Sequence, residues 1–201
     1  TSQIVTKSIH EPVRPANSTT KAPSVQWNKT INWTGSGKWA GYRSSSTLNS
    51  VQQTSDGGYI ASGRVFPPNE GFMVKTDASG NEVWNKTFNG CPWCIQQTSD
   101  GGYILASISS PLLVKTDASG NEVWNKTFSA SNRGEFYHEI NAYSVQQTND
   151  GGYIIAGDCC NHDYGILIKT ESSGNEVWNK TFKESILRSV QQTKDGGYIV
   201  A

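Results

Sequence analysis

The sequence predicts an all-β fold, a β-propeller of four-stranded antiparallel blades with three full blades and further partial ones. Two segments alternate along the 201 residues, one built on VQQTxDGGYI and the other on VKTDASGNEVWNKTF. The first glutamines of successive copies are 44, 50 and 45 residues apart, at Gln52, Gln96, Gln146 and Gln191. Periods of about 40–50 residues that hold four strand-like segments are typical of propeller blades.

Each repeat divides into four strands, named a to d in chain order. Strand a is the VQQT segment, and the Asp-Gly-Gly after it tolerates the positive φ angles of a tight hairpin. Strand b is GYIxA, and its small residue lets neighbouring sheets approach closely. Strand c, such as LLVKT, is apolar on both faces, which is typical of a sheet covered on both sides. Strand d is EVWNKTF, and the turn before it contains the glycines expected in the left-handed conformation: Gly80, Gly120 and Gly174.

The repeats also account for most charged residues. The aspartates of the a–b turns are expected to be structural, and the lysine that ends strand c is expected to pair with a nearby acidic group. These lysines are Lys75, Lys115 and Lys169. Residues that recur in every blade are explained by the structure of the blade. We therefore expect functional residues among those that do not recur.

The domain organisation follows from the repeat. Residues 1–24 are expected to form an extended arm or linker, and residues 25–201 the propeller. We place full blades at about 47–89, 92–128 and 143–182. A partial blade spans 188–201, to which strand 25–31 (VQWNKTI) would add a strand d. That blade lacks a strand c, which Gln3–Ile9, a longer protein or a partner subunit could supply, and we favour the last two.

The whole unit, SVQQTxDGGYIxAG followed by LVKTDxxGNxxWNKTF, resembles a repeat of secreted and cell-surface propeller proteins of archaea and bacteria. The pattern D-x-x-G-x-x-x-W that ends at Trp84, Trp124 and Trp178 is similar to the tryptophan-docking turn of quinoprotein propellers. It is more distantly similar to the Asp-box of sialidases, although its Asp-to-Gly spacing is one residue longer. These resemblances imply a fold and a way of stapling blades, and they imply no activity.

Composition indicates the cellular compartment. Lys plus Arg and Asp plus Glu number 17 each, so no global charge attracts nucleic acid, and no apolar run is long enough for a membrane span. An even number of cysteines predicts disulfides among Cys91, Cys94, Cys159 and Cys160. The Asn-x-Ser/Thr sequons predict glycosylation at Asn17, Asn28, Asn32, Asn85, Asn125 and Asn179. We therefore expect an extracellular or cell-surface protein.

Propeller topology separates two faces. The a–b and c–d turns share one face and hardly vary between repeats, whereas the b–c and d–a connections share the other face and vary in length and sequence. We call the second the variable face; it comprises residues 64–71, 89–94, 107–111, 129–144, 157–165 and 183–189. Varied loops on a rigid scaffold usually carry recognition. The predicted ligand-binding residues there are Phe66, Trp93, Arg133, Glu135, Tyr137, His138, Asp158, His162, Asp163 and Tyr164.

Three functional hypotheses remain open. The favoured one is a non-enzymatic propeller for binding, adhesion or surface and filament assembly, with a protein or glycan partner, or self-assembly through the open blade. The first alternative is an enzyme on polysaccharides, for which Glu135, Glu139, Asp158 and Asp163 are the candidate carboxylates. The second is a redox or metal protein that uses CPWC or Cys159, Cys160 and His162, although a structural disulfide suits CPWC better. We expect no catalytic residue, metal or cofactor.

Overall fold

The chain is seen in a computed structural model that describes residues 2–9, 25–33, 45–66, 70–110, 112–129, 140–159 and 162–201. Within these ranges all regular structure is β-strand. The first sheet contains β3 (Ser45–Gln53), β4 (Tyr59–Phe66), β5 (Glu70–Thr76) and β6 (Glu82–Phe88). The second contains β7 (Pro92–Gln97), β8 (Tyr103–Ser107), β9 (Leu113–Thr116) and β10 (Glu122–Lys126). The third contains β11 (Ile140–Gln147), β12 (Tyr153–Cys159), β13 (Tyr164–Thr170) and β14 (Glu176–Lys183).

Each of these sheets is a meander in which every strand is antiparallel to the next along the chain. Strands a of successive sheets (β3, β7 and β11) lie beside one another, so the sheets stack as blades. The predicted β-propeller fold is thereby confirmed, with three complete blades.

The ends of the chain form two smaller sheets. β15 (Val190–Gln192) and β16 (Tyr198–Val200) make a hairpin equivalent to strands a and b of a fourth blade. β1 (Ser2–Ile9) pairs with β2 (Val25–Trp33), so part of the predicted N-terminal arm is a strand, while residues 10–24 lie outside the described ranges. β2 is hydrogen-bonded to β1 and not to the last hairpin. The expected completion of that blade by residues 25–31 is therefore not formed in this structure.

The a–b turns are held by one recurring network. In the third blade the Asp150 carboxylate accepts hydrogen bonds from the Thr148 hydroxyl (2.5 Å) and the Gly152 amide (3.0 Å). Lys169, buried at the end of strand c, lies 2.9 Å from the same carboxylate and donates to the Thr170 carbonyl at 2.8 Å. The Thr148 hydroxyl, the lysine and the Gly152 amide lower the pKa of Asp150 to about 2. The expected pairing of strand-c lysines with an acidic turn is thus observed in all three blades.

Tryptophans of strand d join one blade to the next. The Trp84 ring lies edge-on to Tyr103 of the following blade at 5.8 Å, and Trp124 and Trp178 repeat this contact with Tyr153 and Tyr198. Trp84 and Trp124 also cover the c–d turn of the next blade, so closely that a Cβ added at Gly120 would lie 2.8 Å from Trp84. Glycine is therefore required at that turn for two reasons. The Trp84 ring leaves no room for a Cβ, and the φ of 78° is unfavourable for a residue with a side chain.

Glutamines of strand a form a second connection between blades. The side-chain oxygen of Gln52 accepts the backbone amide of Gln97 at 2.7 Å, and the Gln97 side chain accepts the Ser55 amide at 2.8 Å. The same reciprocal pair recurs at the next two junctions. These bonds satisfy backbone donors that no strand ladder reaches. The repetition of VQQT therefore reflects blade assembly.

Burial follows strand position within the blade. Strands b and c carry the core, with the fully buried Phe72, Ile104 and Ile155 among its largest side chains. Strand d is an outer edge, where valines such as Val83 are exposed next to charged and amide residues. Charged and polar residues on an exposed edge discourage pairing with other chains.

Substitution of Gly174 tests the tryptophan contact. Gly174 and Gly151 both have φ of 81°, but a Cβ at Gly174 would lie 2.7 Å from the Trp124 ring, whereas one at Gly151 meets nothing within 4 Å. Gly151→Ala should lower the free energy of unfolding by about 1 kcal/mol through backbone strain. Gly174→Ala should lower it by about 2 kcal/mol more, because the ring must move. Urea denaturation measures both, and equal losses would contradict the close packing.

Candidate functional site

A β-bulge sits at one equivalent position of strand a in each complete blade. The ladder register shifts between Leu48 and Ser50, between Pro92 and Cys94, and between Ala142 and Ser144. The residues at the three bulges are Asn49, Trp93 and Tyr143, and the equivalent residue before β15 is Arg188. We call these four residues the bulge row. Bulges redirect a side chain and are common beside functional sites.

Members of the bulge row contact one another across blades. The Trp93 ring lies edge-on to the Tyr143 ring of the next blade, with 5.9 Å between the ring centroids. The guanidinium of Arg188, which precedes β15, lies over the same Tyr143 ring, with its Cζ 4.0 Å from the ring centroid. Asn49 donates to the Pro92 carbonyl at 2.8 Å, immediately before Trp93. Neighbouring blades thus form a continuous surface in which Trp93 is 38% exposed and Arg188 is exposed.

A buried carboxylate supports this surface from below. Asp158, at 0% exposure, accepts hydrogen bonds from Asn141 (2.8 Å) and from the Tyr143 hydroxyl (2.8 Å). Nδ1 of His162 lies 2.7 Å from the same carboxylate, and the His162 ring is largely exposed. The imidazole is thereby oriented by a group that solvent does not reach. His162 has a φ of 71°, which is unusual for a residue with a side chain.

The surroundings of Tyr143 favour its neutral form. Burial, the hydrogen bond to Asp158 and the charge of Asp158 together raise its pKa to about 12, while Arg188 acts in the opposite direction. The Tyr143 hydroxyl is therefore a fixed donor to Asp158. The arrangement positions side chains and offers no free general base at Asp158, because three donors already occupy that carboxylate.

The structure brings together only some of the predicted ligand-binding residues. Trp93, Asp158 and His162 belong to the surface just described. Phe66 is exposed at the end of β4, and Tyr164 is half-buried against the core at the start of β13. Asp163 is exposed, and its carbonyl accepts the Glu184 amide. Arg133, Glu135, Tyr137, His138 and Glu139 lie outside the described residues.

Sequence reasoning missed Asn141, Tyr143 and Arg188. A signal was present for the bulge row, because its members stand two residues before the Val-Gln-Gln or Ile-Gln-Gln of every repeat. This position of an otherwise repeated segment varies between Asn, Trp, Tyr and Arg. The variation indicates that the blade itself does not require a particular side chain there. Asn141 could be recognised only after folding, since nothing in its spacing connects it to Asp158.

The cysteines show no disulfide among the three that are described. Cys91, Cys94 and Cys159 are not joined to one another, and Cys160 lies outside the described residues. The backbone amide of Cys91 donates to the hydroxyls of Ser107 and Ser109. Cys94 occupies the position of Ser50 and Ser144 in the other blades, and its Sγ is 4.0 Å from the Val145 carbonyl of the next blade. Burial raises the pKa of the Cys94 thiol, which opposes redox reactivity.

A groove of about 640 Å³ lies between β6 and β10, where neighbouring blades diverge toward the rim, and it is lined by Lys86, Asn121 and Asn125 among others. Across the described ranges no three His, Cys, Asp or Glu side chains converge on a space for a metal ion. No helix in these ranges is long and apolar enough to span a membrane.

The sequons of strand d are accessible. Asn85, Asn125 and Asn179 are exposed, and each side-chain amide donates to a glutamate three residues earlier. Asn28 and Asn32 lie on β2, and Asn17 lies outside the described residues. Glycosylation at these asparagines stays a prediction.

Comparison with known proteins identifies the fold and no closer relationship. No protein-family model matches the sequence, and no curated protein matches it. A protein of unknown function from Bacteroides caccae is similar in structure, with 11% identity and a TM-score of 0.58 over 89% of this chain and 60% of that chain. BamB from Moraxella catarrhalis, a β-propeller, is similar with 16% identity and a TM-score of 0.52 over 79% of this chain and 41% of that chain. The chain thus spans about three fifths of the first of these structures and about two fifths of the second.

Removal of the Asp158 charge tests the support beneath the bulge row. In Asp158→Asn the pKa of Tyr143 should fall from about 12 to between 10 and 12, because burial persists while the charge is lost. Tyr153, whose pKa is also raised to about 12 by burial and by Asp100, serves as the internal control and should not change. A titration followed by NMR of labelled tyrosine ring carbons measures both. A shift at both tyrosines would indicate a global change of structure instead.

Proposed function

We propose that this chain is a non-enzymatic propeller module that binds a protein partner outside the cell or at its surface. The bulge row is the observation that carries the proposal. It places Trp93 and Arg188 on an accessible surface and packs both against the rigidly held Tyr143. Trp, Tyr and Arg are the residues most enriched among those that dominate binding energy at protein interfaces.

The rigidity of the surface supports this function. Tyr143 is held by Asp158, and Asp158 is held by Asn141 and His162, so Tyr143 loses little conformational freedom on binding. A preorganised surface of this kind binds more tightly than one that must be ordered first.

The two alternatives receive no comparable support. An enzyme on polysaccharides needs two accessible carboxylates. Among the described candidates Asp158 is fully buried and hydrogen-bonded by three side chains, and only Asp163 is exposed. A redox centre needs an accessible thiolate, yet Cys91 and Cys159 are buried and the Cys94 thiol has a raised pKa. A glycan ligand for the bulge row is kept as an outcome of the test below.

Loss of the exposed bulge-row side chains should weaken binding strongly. The chain carrying Trp93→Ser and Arg188→Ser should bind its partner about 1,000-fold more weakly than the unaltered chain, because two hot-spot residues cost about 2 kcal/mol each. The measurement is quantitative capture from a preparation of surface proteins, followed by titration of the captured protein. Val83→Ser, at a position that is 60% exposed on the outer strand β6, is the control and should bind normally.

Two results would contradict this proposal. Equal binding by the bulge-row variant and the control would place the interface elsewhere. Binding that survives removal of protein from the preparation but is lost after glycosidase treatment would identify a glycan as the ligand.

The extracellular location has an independent test. Intact mass of protein secreted by a glycosylating host should fall after enzymatic deglycosylation, because Asn85, Asn125 and Asn179 are exposed. Thiol labelling on the same sample reports whether cysteines have been oxidised. Free thiols at all four cysteines together with no glycan mass would argue against an extracellular protein.

A further inference from the structure

The face that carries the a–b and c–d turns, which we call the turn face, has a pocket at each junction between complete blades. One pocket, of about 410 Å³, lies between the first and second blades, and the other, of about 280 Å³, lies between the second and third. The turns of one blade form one side, and the first residue of strand b in the next blade, Tyr103 or Tyr153, lies on the other. These volumes are near the lower end of the range for ligand pockets, about 300–1,000 Å³. Each pocket therefore has room for a small ligand or for one unit of a polymer.

The two pockets are built from equivalent residues. Every residue that lines the first has a counterpart in the second, and only one pair differs in type, with Ala118 in the first and Ser172 in the second. Ala118 also lines the second pocket, from the opposite side. The space between the blades is open at this level, because a Cβ added at Gly151 would meet nothing within 4 Å. The repeat therefore produces the same site twice.

Each pocket contains a tyrosine hydroxyl that has no hydrogen-bond partner within the described ranges. Tyr103 and Tyr153 are each 1% exposed, and their rings lie edge-on to Trp84 and Trp124. Neither hydroxyl is sealed inside the protein, because the fully enclosed oxygens that lack a partner in these ranges belong to a serine and a threonine. A buried tyrosine usually has a partner for its hydroxyl. The unpaired hydroxyl is therefore available to a ligand in the pocket.

A carboxylate of the preceding blade shares each pocket with the tyrosine hydroxyl. In the second pocket, burial and the charge of Asp100 raise the pKa of Tyr153 to about 12, so the hydroxyl remains a donor. The Asp100 side chain is 62% exposed, and Lys115, 2.9 Å away, balances its charge. Lys115 also donates to the Thr116 carbonyl, and the Asp117 carboxylate accepts backbone amides of its own turn. The pocket thus offers a hydrogen-bond donor and an acceptor whose charge is already balanced, which favours a neutral ligand over an ionic one.

The remaining wall of each pocket is apolar. In the first pocket it is formed by the Trp84 ring, the Val83 side chain and the Ala78 methyl group. A sugar ring carries apolar C–H groups on its faces and hydroxyls at its edge, so it matches an apolar wall beside a donor and an acceptor. We propose that each pocket binds one neutral sugar unit, with a sugar hydroxyl between the tyrosine hydroxyl and the aspartate. This inference is independent of the function proposed above, because the bulge row lies toward the variable face.

Two equivalent sites on one scaffold favour a polymer as the ligand. When one unit of a polysaccharide is bound, a second unit of the same chain reaches the other pocket at a high effective concentration. A neutral polysaccharide should therefore bind more tightly than its own monosaccharide. The partner that fits these sites is a neutral polysaccharide with one sugar repeated along it.

A steric block of both pockets tests the sites. Isothermal titration calorimetry with dextran, mannan and galactan should show binding to at least one of them, and polygalacturonate, which carries a carboxylate on each unit, should not bind. Ala118→Phe places a ring in both pockets at an exposed turn position and should abolish the binding. Ser119→Phe is the matched control, since Ser119 is the next exposed residue of the same turn and lines neither pocket.

Removal of the hydroxyls tests the chemistry of the sites. Tyr103→Phe should raise the dissociation constant of the bound polysaccharide about fivefold, and addition of Tyr153→Phe should raise it about 25-fold in total, because one hydrogen bond is lost in each pocket. Both changes keep the ring that meets the tryptophan. Tyr164→Phe makes the same chemical change at the start of β13 on the variable face and should leave the dissociation constant unchanged.

The outcomes separate this proposal from its rivals. Binding that persists in Ala118→Phe, or the failure of all three neutral polymers to bind, would overturn it. Binding of polylysine that Ala118→Phe removes would also overturn it, because the aspartates would then serve a cationic partner. The double variant Trp93→Ser, Arg188→Ser should retain polysaccharide binding, and a loss there would move the sugar site to the bulge row.

Discussion

The contact on which the structure depends is a tryptophan ring held against the next blade. Trp84 and Trp124 each cover a glycine turn and meet a tyrosine edge-on in the following blade. A blade alone is a small sheet with two apolar faces, which is marginal in water until neighbours cover it. The ring does this covering at the outer part of the blade and sets the distance between sheets. The spacing between repeats, the conformation of the c–d turn and the register of the strands must all be compatible with that distance.

The glutamine pairs perform the corresponding task between strands a. Gln52 and Gln97 each accept a hydrogen bond from a backbone amide of the other blade. These bonds fix how far one strand a is shifted along its length relative to the next. The bulges lie just beyond this fixed segment, toward the variable face. A side chain at a bulge is therefore presented from a rigid position while its identity is unconstrained. This combination allows Asn49, Trp93 and Tyr143 to differ chemically within an otherwise repeated strand.

The buried Asp158 carboxylate beneath the bulge row is itself unfavourable for folding. A buried carboxylate is unfavourable unless several donors surround it. Asp158 on β12 has Asn141 and Tyr143 from β11 and His162 from the loop before β13, so its three partners come from one strand and one loop of the same blade. A network of this kind orders the aromatic ring above it. The proposed binding surface and local stability thus depend on the same contacts at Tyr143. On the turn face, by contrast, the repeated Asp and Lys residues hold the turns of the blade.

The sequence by itself determined the blades, because period, turn glycines and strand patterns recur three times and reinforce one another. Its predictions of left-handed glycines, of the strand-c lysine pairs and of a doubly covered strand c agree with the structure. Tertiary structure decided what repetition cannot encode. Asn141 joins Asp158 only because β11 and β12 pair in one register, and Trp93 meets Tyr143 only because blades stack at one height. It also decided the partner of β2, since pairing between strands far apart in sequence depends on which edges meet in space and not on the pattern within either strand.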